Sequence, residues 1–167
     1  MTDLFRTERL LVRRLGPQDL DAMFAVYGDP RTQVHVGDGV PLDRDECQGW
    51  IDVTERNYAT RGYGMSAIEE GGEVVGFIGI VHPSGQPETE VKYALRLDAW
   101  GRGIATEAVD GILRWAAEDL GHARVVATIA SRNAASQSVM RKVGAEHLAT
   151  LRDPDGGLME LFVWRPS

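Results

Sequence analysis

The chain has 167 residues, of which 43% are hydrophobic and 26% are charged, as expected of one globular domain that buries a substantial core. Its formal net charge of −7 argues against nucleic-acid binding, which needs a basic surface, and suits a cationic substrate better. A single cysteine, Cys47, excludes an intramolecular disulfide and a cysteine-rich metal site, and we expect a partly buried thiol.

The first residues resemble neither a signal peptide nor a membrane anchor. Charges interrupt the apolar residues of "MTDLFRTERLLVRRL", and no stretch of the chain reaches membrane-spanning length. We therefore expect a cytoplasmic protein with no membrane partner, organised as a single domain over residues 1–167.

The first half of the chain predicts one strand and two helices. Residues 9–15 ("RLLVRRL") predict a strand, and a helix follows between Pro17 and Gly28. Residues 32–42 predict a loop because Gly, Asp and Pro are frequent there. A second helix is predicted at residues 43–60, and four of its residues fall on one face: Trp50, Ile51, Thr54 and Tyr58.

The second half changes to the alternating pattern of strands. "YGMSAIEEGGEVVGFIGIV" predicts two strands joined by a tight turn at Gly71 and Gly72. The later elements are a loop at 82–89, a strand at 90–97, a helix ending near Leu120, a strand at 124–130, a helix at 133–143 with Asn133 as its candidate N-cap, and a hairpin around "DPDGG". This order predicts an α+β domain on a mostly antiparallel mixed sheet of about seven strands, flanked by about four helices.

The stretch "WGRGIATEA" places small residues at the start of a predicted helix. The first N–H groups of a helix have no partner within it, and the helix dipole adds partial positive charge, so a phosphate binds well there. Gly101, Gly103 and Ala105 let an anion approach the backbone, Arg102 adds a cation and Thr106 adds a hydroxyl. The pattern predicts a pyrophosphate site.

Several interpretations compete for these glycines. A Walker loop is excluded because no Gly-Lys-Ser/Thr follows. A dinucleotide fingerprint needs Gly or Ala where Thr106 stands, and an acidic residue after the next strand, whereas Asp119 lies within the helix. The acyl-CoA loop of the GNAT acetyltransferases remains, beside a turn with only a structural role.

Three blocks of the sequence resemble the GNAT superfamily, and most closely its RimJ/RimL-like branch of ribosomal-protein N-terminal acetyltransferases. "TERLLVRRL" resembles the opening strand of that branch, and "EVKYALRLDAWGRGIATEA" resembles its fourth strand and pyrophosphate loop. "NAASQSVMRKVGAE" resembles a later helix with an Asn-x-x-Ser pattern that ends in Lys-x-Gly. The resemblance covers nearly the whole chain and implies the GNAT fold, with a sheet splayed around an acyl-CoA site.

The resemblance implies acetyl-CoA as cosubstrate and no metal. The backbone N–H groups that would hold the CoA pyrophosphate belong to Arg102, Gly103, Ile104, Ala105 and Thr106. Leu95 and Leu97, on the preceding strand, would pair with the pantetheine arm. Asn133 would bind the pantetheine or its surroundings, and Ser136 would lie beside the sulfur. The strands after the glycine block and after the Asn-x-x-Ser block would splay apart, and the thioester would enter that gap.

The resemblance also implies direct acetyl transfer to an amine, which must first lose a proton. Glu90 is the predicted base, in "EVKY" where the branch commonly has Glu-x-Gly-Tyr. Lys92 replaces that glycine and shares a strand face with Glu90, so pairing would lower the pKa of the carboxyl and weaken the base. Glu69 and Glu88 are alternative bases, and a solvated surface charge is the competing interpretation of each carboxylate.

Ser136 is the predicted acid for the departing thiolate. Many members of the superfamily use a tyrosine where this chain has Met140, so the branch points to Ser136 instead. Capping of the helix is the competing role for this serine. The four histidines show no metal-ligand spacing, and we expect structural or surface roles for them: His35, His82, His122 and His147.

The acceptor amine would be bound by the first half of the chain, with residues 34–40 as one wall. Candidate liners are Trp50, Tyr63 and Tyr93, although each would more often be a core aromatic. A protein N-terminus and a small-molecule amine both remain open as acceptors, and a homodimer is common in the superfamily. Two other functions stay open: a CoA-binding sensor without catalysis, and an enzyme using a different nucleotide.

Overall fold

A computed structural model describes residues 2–34 and 39–167 of the chain, which fold as helices on both faces of a central sheet. In this part of the chain there are eight strands: β1 (Asp3–Arg6), β2 (Leu10–Arg14), β3 (Met65–Glu70), β4 (Glu73–Val81), β5 (Glu90–Leu95), β6 (Val125–Ala130), β7 (Glu146–Arg152) and β8 (Leu158–Trp164). The same residues form five helices: α1 (Leu20–Tyr27), α2 (Pro30–Gln33), α3 (Arg44–Arg61), α4 (Ile104–Glu118) and α5 (Ala134–Lys142). Short 3-10 turns at Pro17–Asp19 and Leu97–Ala99 stand between β2 and α1 and between β5 and α4.

The predicted α+β class is confirmed. The strand order is β1-β2-β3-β4-β5-β6-β8-β7, and among the described strands only β5 and β6 run parallel as neighbours. The turn at Gly71 and Gly72 joins β3 to β4 as predicted, and "DPDGG" joins β7 to β8. Both glycines of the first turn have positive φ, as a tight hairpin requires.

Two short elements are absent from the prediction. β1 has four residues, and its register with β2 shifts between Asp3 and Phe5, so its sequence carries little alternation to detect. α2 begins ahead of the predicted loop and extends into it, and its N-terminus is capped by Asp29, whose side chain accepts the Arg31 N–H at 2.9 Å. Residues 35–38 of that loop lie outside the described residues.

The parallel strands β5 and β6 separate almost where they meet. They share the residue pair Glu90 and Val126, and the Val126 N–H donates to the Thr89 carbonyl at 2.9 Å. In the described structure no further residue pair joins them toward Leu95 and Ala130, so a gap opens between the strands. The predicted position of the splay is wrong by one strand, because the strands after the two sequence blocks are β6 and β7, and β8 lies between them.

Alternate residues of β5 face different helix layers. Val91 and Leu95 pack in the core that includes α4, whereas Ala94 packs in the core formed with α1 and α3. Because side chains alternate along a strand, Tyr93 lies on the α4 side and Glu90 on the α1 and α3 side. The gap between β5 and β6 is therefore bordered by the Tyr93 side chain on its α4 side and by the Glu90 carboxylate on its α1 and α3 side.

Helix α3 is confirmed, but its predicted buried face is wrong at one residue. Asp43 and Glu46 form a capping box at its start, with bonds of 2.8 and 3.1 Å. The buried residues are Cys47, Ile51, Thr54 and Tyr58, whereas Trp50 is 54% exposed. Trp50 lies next to Ile51 in sequence and hence about 100° away around the helix. Cys47 is fully buried, and burial raises the pKa of its thiol.

Among the described residues, none of the helices combines the length and apolar character needed to cross a membrane.

A buried ion pair fixes the chain between β2 and α1. Arg13 and Asp19 are 5% and 2% exposed, and the guanidinium binds both carboxylate oxygens at 2.8 and 2.9 Å. The Arg13 Nε also donates to Glu69, and Asp19 accepts the Gly16 N–H at 2.9 Å. Because both charges are out of water, each depends on the other.

We expect Asp19→Asn to lower the free energy of unfolding by about 3 kcal/mol, because the buried Arg13 guanidinium loses the carboxylate that binds both of its Nη atoms and keeps the contact with Glu69. Asp21→Asn is the control: Asp21 pairs with Arg44 at the surface, with its side chain 87% exposed, and the expected loss is about 0.5 kcal/mol. Urea denaturation measures both, and equal losses would contradict this account.

Candidate active site

The turn before α4 has a backbone that only glycine adopts without strain. Gly101 and Gly103 have φ of 72° and 77°, in the left-handed region. Trp100, 50% exposed, holds the turn against β5, because its indole N–H donates to the Leu95 carbonyl at 3.1 Å. The glycines of "WGRGIATEA" thus shape the turn that leads into the helix.

Helix α4 begins without a side-chain cap. Gly103 occupies the N-cap position, where it can offer no side-chain oxygen. Within the described part of the chain, the N–H groups of Gly103, Ile104, Ala105 and Thr106 meet no acceptor, and the first bonded amide is that of Glu107, to the Gly103 carbonyl at 3.1 Å. Four amides and the helix dipole therefore point at one place, which is the arrangement that binds a phosphate.

The turn between β1 and β2 holds this helix start in position. Glu107, in the first turn of α4, accepts the Arg9 N–H at 2.9 Å and the Arg9 Nε at 2.8 Å, and it also accepts the Thr7 hydroxyl. Arg9 continues the connection, since its Nη1 donates to the Arg102 carbonyl at 2.8 Å. The loop and the helix are thereby tied to the same short turn.

The Arg102 side chain is occupied elsewhere. Its guanidinium binds both carboxylate oxygens of Glu70 at 2.8 and 2.9 Å, at the β3-β4 hairpin. A second cation is close to the uncapped helix start. Lys142 lines a groove of about 410 Å³ beside it. The groove runs along the first turns of α4 and the end of α5, and its lining residues are Gly103, Thr106, Glu107, Asp110, Lys142 and Val143. Lys142 is missing from the predicted site, although it is the lysine of the Lys-x-Gly pattern.

Every second residue of β5 directs its backbone N–H and C=O groups toward the gap. Thr89 bonds toward β6 and Arg96 bonds toward β4, so Val91, Tyr93 and Leu95 direct their backbone groups into the gap. The Leu95 carbonyl is already bonded to Trp100, which leaves its N–H. The predicted strand position of Leu97 is wrong, because β5 ends at Leu95 and Leu97 lies in the 3-10 turn, where its carbonyl accepts the Trp100 N–H at 3.2 Å.

Glu90 lies at the point where β5 and β6 meet, and it is 4% exposed. Its carboxylate accepts the Gln86 amide N–H at 3.2 Å and the Thr128 hydroxyl at 3.3 Å. The Lys92 Nζ is 3.6 Å from Oε2, so the predicted contact between Lys92 and Glu90 is present. A buried carboxylate with these donors is held in one orientation at the closed end of the gap.

The two alternative carboxylates are bound to arginines. Glu69 accepts a bond from the buried Arg13, and Glu88 accepts one from Arg124. Each contact balances the charge of its carboxylate within the fold. Glu90 is thus the carboxylate of the three that lies at the junction of the diverging strands.

Ser136 lies in the first turn of α5, where Asn133 is the N-cap as predicted. The Asn133 Oδ1 accepts the Ser136 N–H at 3.2 Å, and the Asn133 Nδ2 donates to the Ser136 Oγ at 3.1 Å. The Tyr93 hydroxyl is 2.8 Å from the same Oγ, and burial raises the pKa of Tyr93 despite this hydrogen bond. Ser136 and Glu90 therefore border the gap from opposite faces of the sheet.

Tyr63 and the described part of the predicted acceptor loop lie at two different places around the gap. Tyr63 packs edge-on against His122, with the two ring centroids 5.2 Å apart. It also lines a separate cavity of about 450 Å³ that borders Thr89. Val34, at the start of the predicted acceptor loop, accepts a bond from Arg132 at 3.2 Å, beside Asn133. The described part of this loop thus reaches the α5 end of the gap.

The histidines outside residues 35–38 have local roles. His82 bonds the Gln86 carbonyl at 2.8 Å, and His147 bonds Glu160 at 2.7 Å. Burial, together with the nearby His82, lowers the pKa of His122. His35 lies outside the described residues, and among those described no cluster of three or more His, Cys, Asp or Glu suits a metal ion.

A family model described as an acetyltransferase (GNAT) domain matches residues 9–146. The chain belongs to the GNAT acetyltransferase family. It is similar in structure to an acetyltransferase from Agrobacterium tumefaciens strain C58, at 30% identity and a TM-score of 0.82 over 99% of this chain and 95% of the other. This GNAT protein is therefore an acyltransferase, as predicted, and the GNAT fold is confirmed.

A curated relative and another solved structure are also similar to this GNAT protein. The uncharacterized N-acetyltransferase p20 of Bacillus licheniformis is 26% identical, over 95% of this chain and 92% of its own. RimL, a ribosomal L7/L12 alpha-N-protein acetyltransferase solved in complex with coenzyme A, is 16% identical with a TM-score of 0.84, over 98% of this chain and 97% of its own. The likeness to RimL is one of fold.

The Glu107 contacts predict a pH-dependent contribution to stability. Burial alone would raise the pKa of Glu107, but hydrogen bonds from Thr7 and Arg9 outweigh it and hold the pKa below the ordinary 4.5. A depressed carboxyl pKa adds stability above pH 4.5, and that stability is lost as the pH falls through the folded-state pKa. We therefore expect Glu107→Gln to lower the free energy of unfolding by about 1 kcal/mol at pH 7, and by less as the pH falls below 4.5.

Urea denaturation at a series of pH values measures this difference. Asp110→Asn is the control, because Asp110 forms an exposed pair with Arg114 one turn further along α4, and we expect little change at any pH. A Glu107→Gln penalty that stays constant from pH 7 to pH 3 would show that the carboxylate charge is irrelevant.

Proposed function

We propose that this GNAT protein is an acetyl-CoA-dependent N-acetyltransferase that moves an acetyl group directly to a primary amine within a ternary complex. The observation that carries the proposal is the set of open amides at Gly103 to Thr106, beside the gap between β5 and β6. The proposal treats residues 1–167 as one catalytic domain. It also assigns the chain to the RimJ/RimL-like branch, which the Asn133 and Ser136 spacing and the presence of Met140 support.

The residues at the start of α4 fit the diphosphate of coenzyme A. The backbone amides from Arg102 to Thr106 would donate to its oxygens, with Gly103 allowing close approach. Lys142 would add positive charge from the facing helix. The gap-facing groups of Val91, Tyr93 and the Leu95 N–H would pair with the pantetheine arm.

When bound, acetyl-CoA supplies a thioester, an activated acyl group that a neutral amine attacks. The C–S bond breaks as the C–N bond forms, and the Ser136 hydroxyl would donate to the departing thiolate. Glu90 would accept the proton of the incoming ammonium, directly or through one water. Its position at the junction of β5 and β6, and on the α1 and α3 side, matches an acceptor that enters from the first half of the chain. Thr128 and Gln86 would keep the carboxylate oriented during that step.

A second candidate function is a CoA-binding sensor with little or no turnover. The observation that favours it is the Lys92 ammonium 3.6 Å from Glu90, because this ion pair engages the carboxylate that would otherwise receive the proton of the amine. Both candidates share the coenzyme site and differ only in whether an amine is acetylated. Turnover on an amine separates them.

We expect Gly103→Ala to weaken acetyl-CoA binding at least tenfold by calorimetry. A Cβ at this position would project beside the open amides and lie 3.3 Å from the Arg9 Nη2, and the left-handed backbone would be strained. Gly121→Ala is the matched control, because Gly121 has φ of 73° after α4 and nothing lies within 4 Å of its added Cβ. The control should lose similar stability and keep its affinity, so equal affinities of the two variants would refute the binding site.

We expect Glu90→Gln to lower kcat by about 10²- to 10⁴-fold and to leave the acetyl-CoA Kd unchanged, as for loss of a general base. Release of the coenzyme thiol, measured across a panel of peptide N-termini and small amines, identifies the acceptor and the rate. Glu73→Gln, which alters an exposed carboxylate paired with Arg96, should behave as wild type. Full activity of Glu90→Gln would remove Glu90 as the base, and acetyl-CoA binding without turnover of any amine by the wild type would favour the sensor.

A further inference from the structure

The Ser136 hydroxyl lies between two side chains that can donate to it. The Asn133 amide has a fixed orientation, because its Oδ1 accepts the Ser136 backbone N–H at 3.2 Å. Its Nδ2, which has only hydrogens to offer, therefore faces the Ser136 Oγ at 3.1 Å. The Tyr93 hydroxyl completes the set at 2.8 Å from the same oxygen.

We propose that Tyr93 is a positioning residue that donates to the Ser136 Oγ and thereby directs the Ser136 O–H toward the sulfur of bound coenzyme A. The inference rests on the proposed function, since it requires a coenzyme in the gap. A hydroxyl accepts through two lone pairs and donates through one hydrogen. With Asn133 and Tyr93 occupying both lone pairs, the hydrogen is left as the group that Ser136 can offer to a third partner.

The position of the Tyr93–Ser136 contact matches this role. Tyr93 is on β5, three residues beyond the Glu90–Val126 pair, whereas Ser136 is on the helix that follows β6. The hydrogen bond thus spans the opening between the two strands. Asn133 and Tyr93 also polarise the serine, because a hydroxyl that accepts hydrogen bonds becomes a stronger donor.

Met140 stands where many members of the superfamily have a tyrosine, and its side chain cannot donate a hydrogen bond. Met140 is 1% exposed and packed in the α4-side core, where it offers no hydroxyl. Tyr93 reaches the same side of the sheet from β5 and keeps its proton, since burial raises its pKa. Tyr93 and Ser136 therefore act as a unit, in which tyrosine orients and serine donates.

The test is a pH titration of the thiol of bound coenzyme A, followed by thiolate absorbance, with the desulfo-coenzyme A complex as the blank for protein tyrosines and Cys47. A hydrogen bond to the thiolate lowers the thiol pKa, so we expect Ser136→Ala to raise it by about one pH unit. Tyr93→Phe should raise it by a smaller amount. The double variant should match Ser136→Ala alone, because Tyr93 acts through the serine.

Tyr58→Phe is the matched control. Tyr58 is buried in α3, and its hydroxyl is 2.9 Å from the Ser66 Oγ, so the variant also removes a buried Tyr–Ser hydrogen bond. It should lose comparable stability and leave the thiol pKa of bound coenzyme A unchanged. A structural role for Tyr93 would give the same result as this control.

The outcomes separate this inference from the proposed function. If the wild type fails to bind coenzyme A by calorimetry, the proposed function fails and this inference fails with it. If coenzyme A binds but Tyr93→Phe leaves the thiol pKa unchanged, or adds to the effect of Ser136→Ala, the positioning role alone is overturned.

Discussion

Helix α4 starts on a glycine that cannot cap it, and the arrangement of the site depends on this. Gly103 at the N-cap has no side-chain oxygen, so within the described chain four amides are left without an acceptor. A glycine at the N-cap in place of Ser, Thr, Asn or Asp costs a helix only a few tenths of a kcal/mol, which an anion bound at the same place can offset. Three contacts keep the uncapped end in shape: Glu107 with Arg9, Arg9 with the Arg102 carbonyl, and Trp100 with Leu95.

An acidic protein that binds a diphosphate must keep its own carboxylates neutralised near the site. The chain carries a net charge of −7, yet the acidic side chains around the α4 start are each matched by a cation. Glu107 binds Arg9, Glu70 binds Arg102, and Asp110 binds Arg114. The amides, the helix dipole and Lys142 then supply the net attraction for an anion, which explains how overall charge and local specificity can differ.

Local sequence predicts the elements well and their mutual placement less well. The hairpin glycines, the Asn133 cap and the glycine turn carry their own backbone signals, and each is present where predicted. The predicted end of β5 is wrong, because Leu97 continues the apolar pattern of the strand. The 3-10 turn that contains Leu97 depends on contacts with Trp100. The point where β5 and β6 part, and the meeting of Tyr93 with Ser136 across 43 residues, arise from tertiary pairing that no local window contains. The family resemblance predicts Glu90 and Ser136 as site residues. The structure identifies their hydrogen-bond partners, which are Gln86 and Thr128 for Glu90 and Tyr93 for Ser136.

The central claim is that the amides at the start of α4 bind the diphosphate of coenzyme A. The most direct measurement is a residue-resolved amide NMR titration with coenzyme A, and with pantetheine, which lacks the diphosphate, as the comparison. The account predicts that coenzyme A gives its largest shifts at Gly103, Ile104, Ala105 and Thr106, and that pantetheine leaves these four amides in place. Saturating binding of coenzyme A with these four amides unmoved would contradict it.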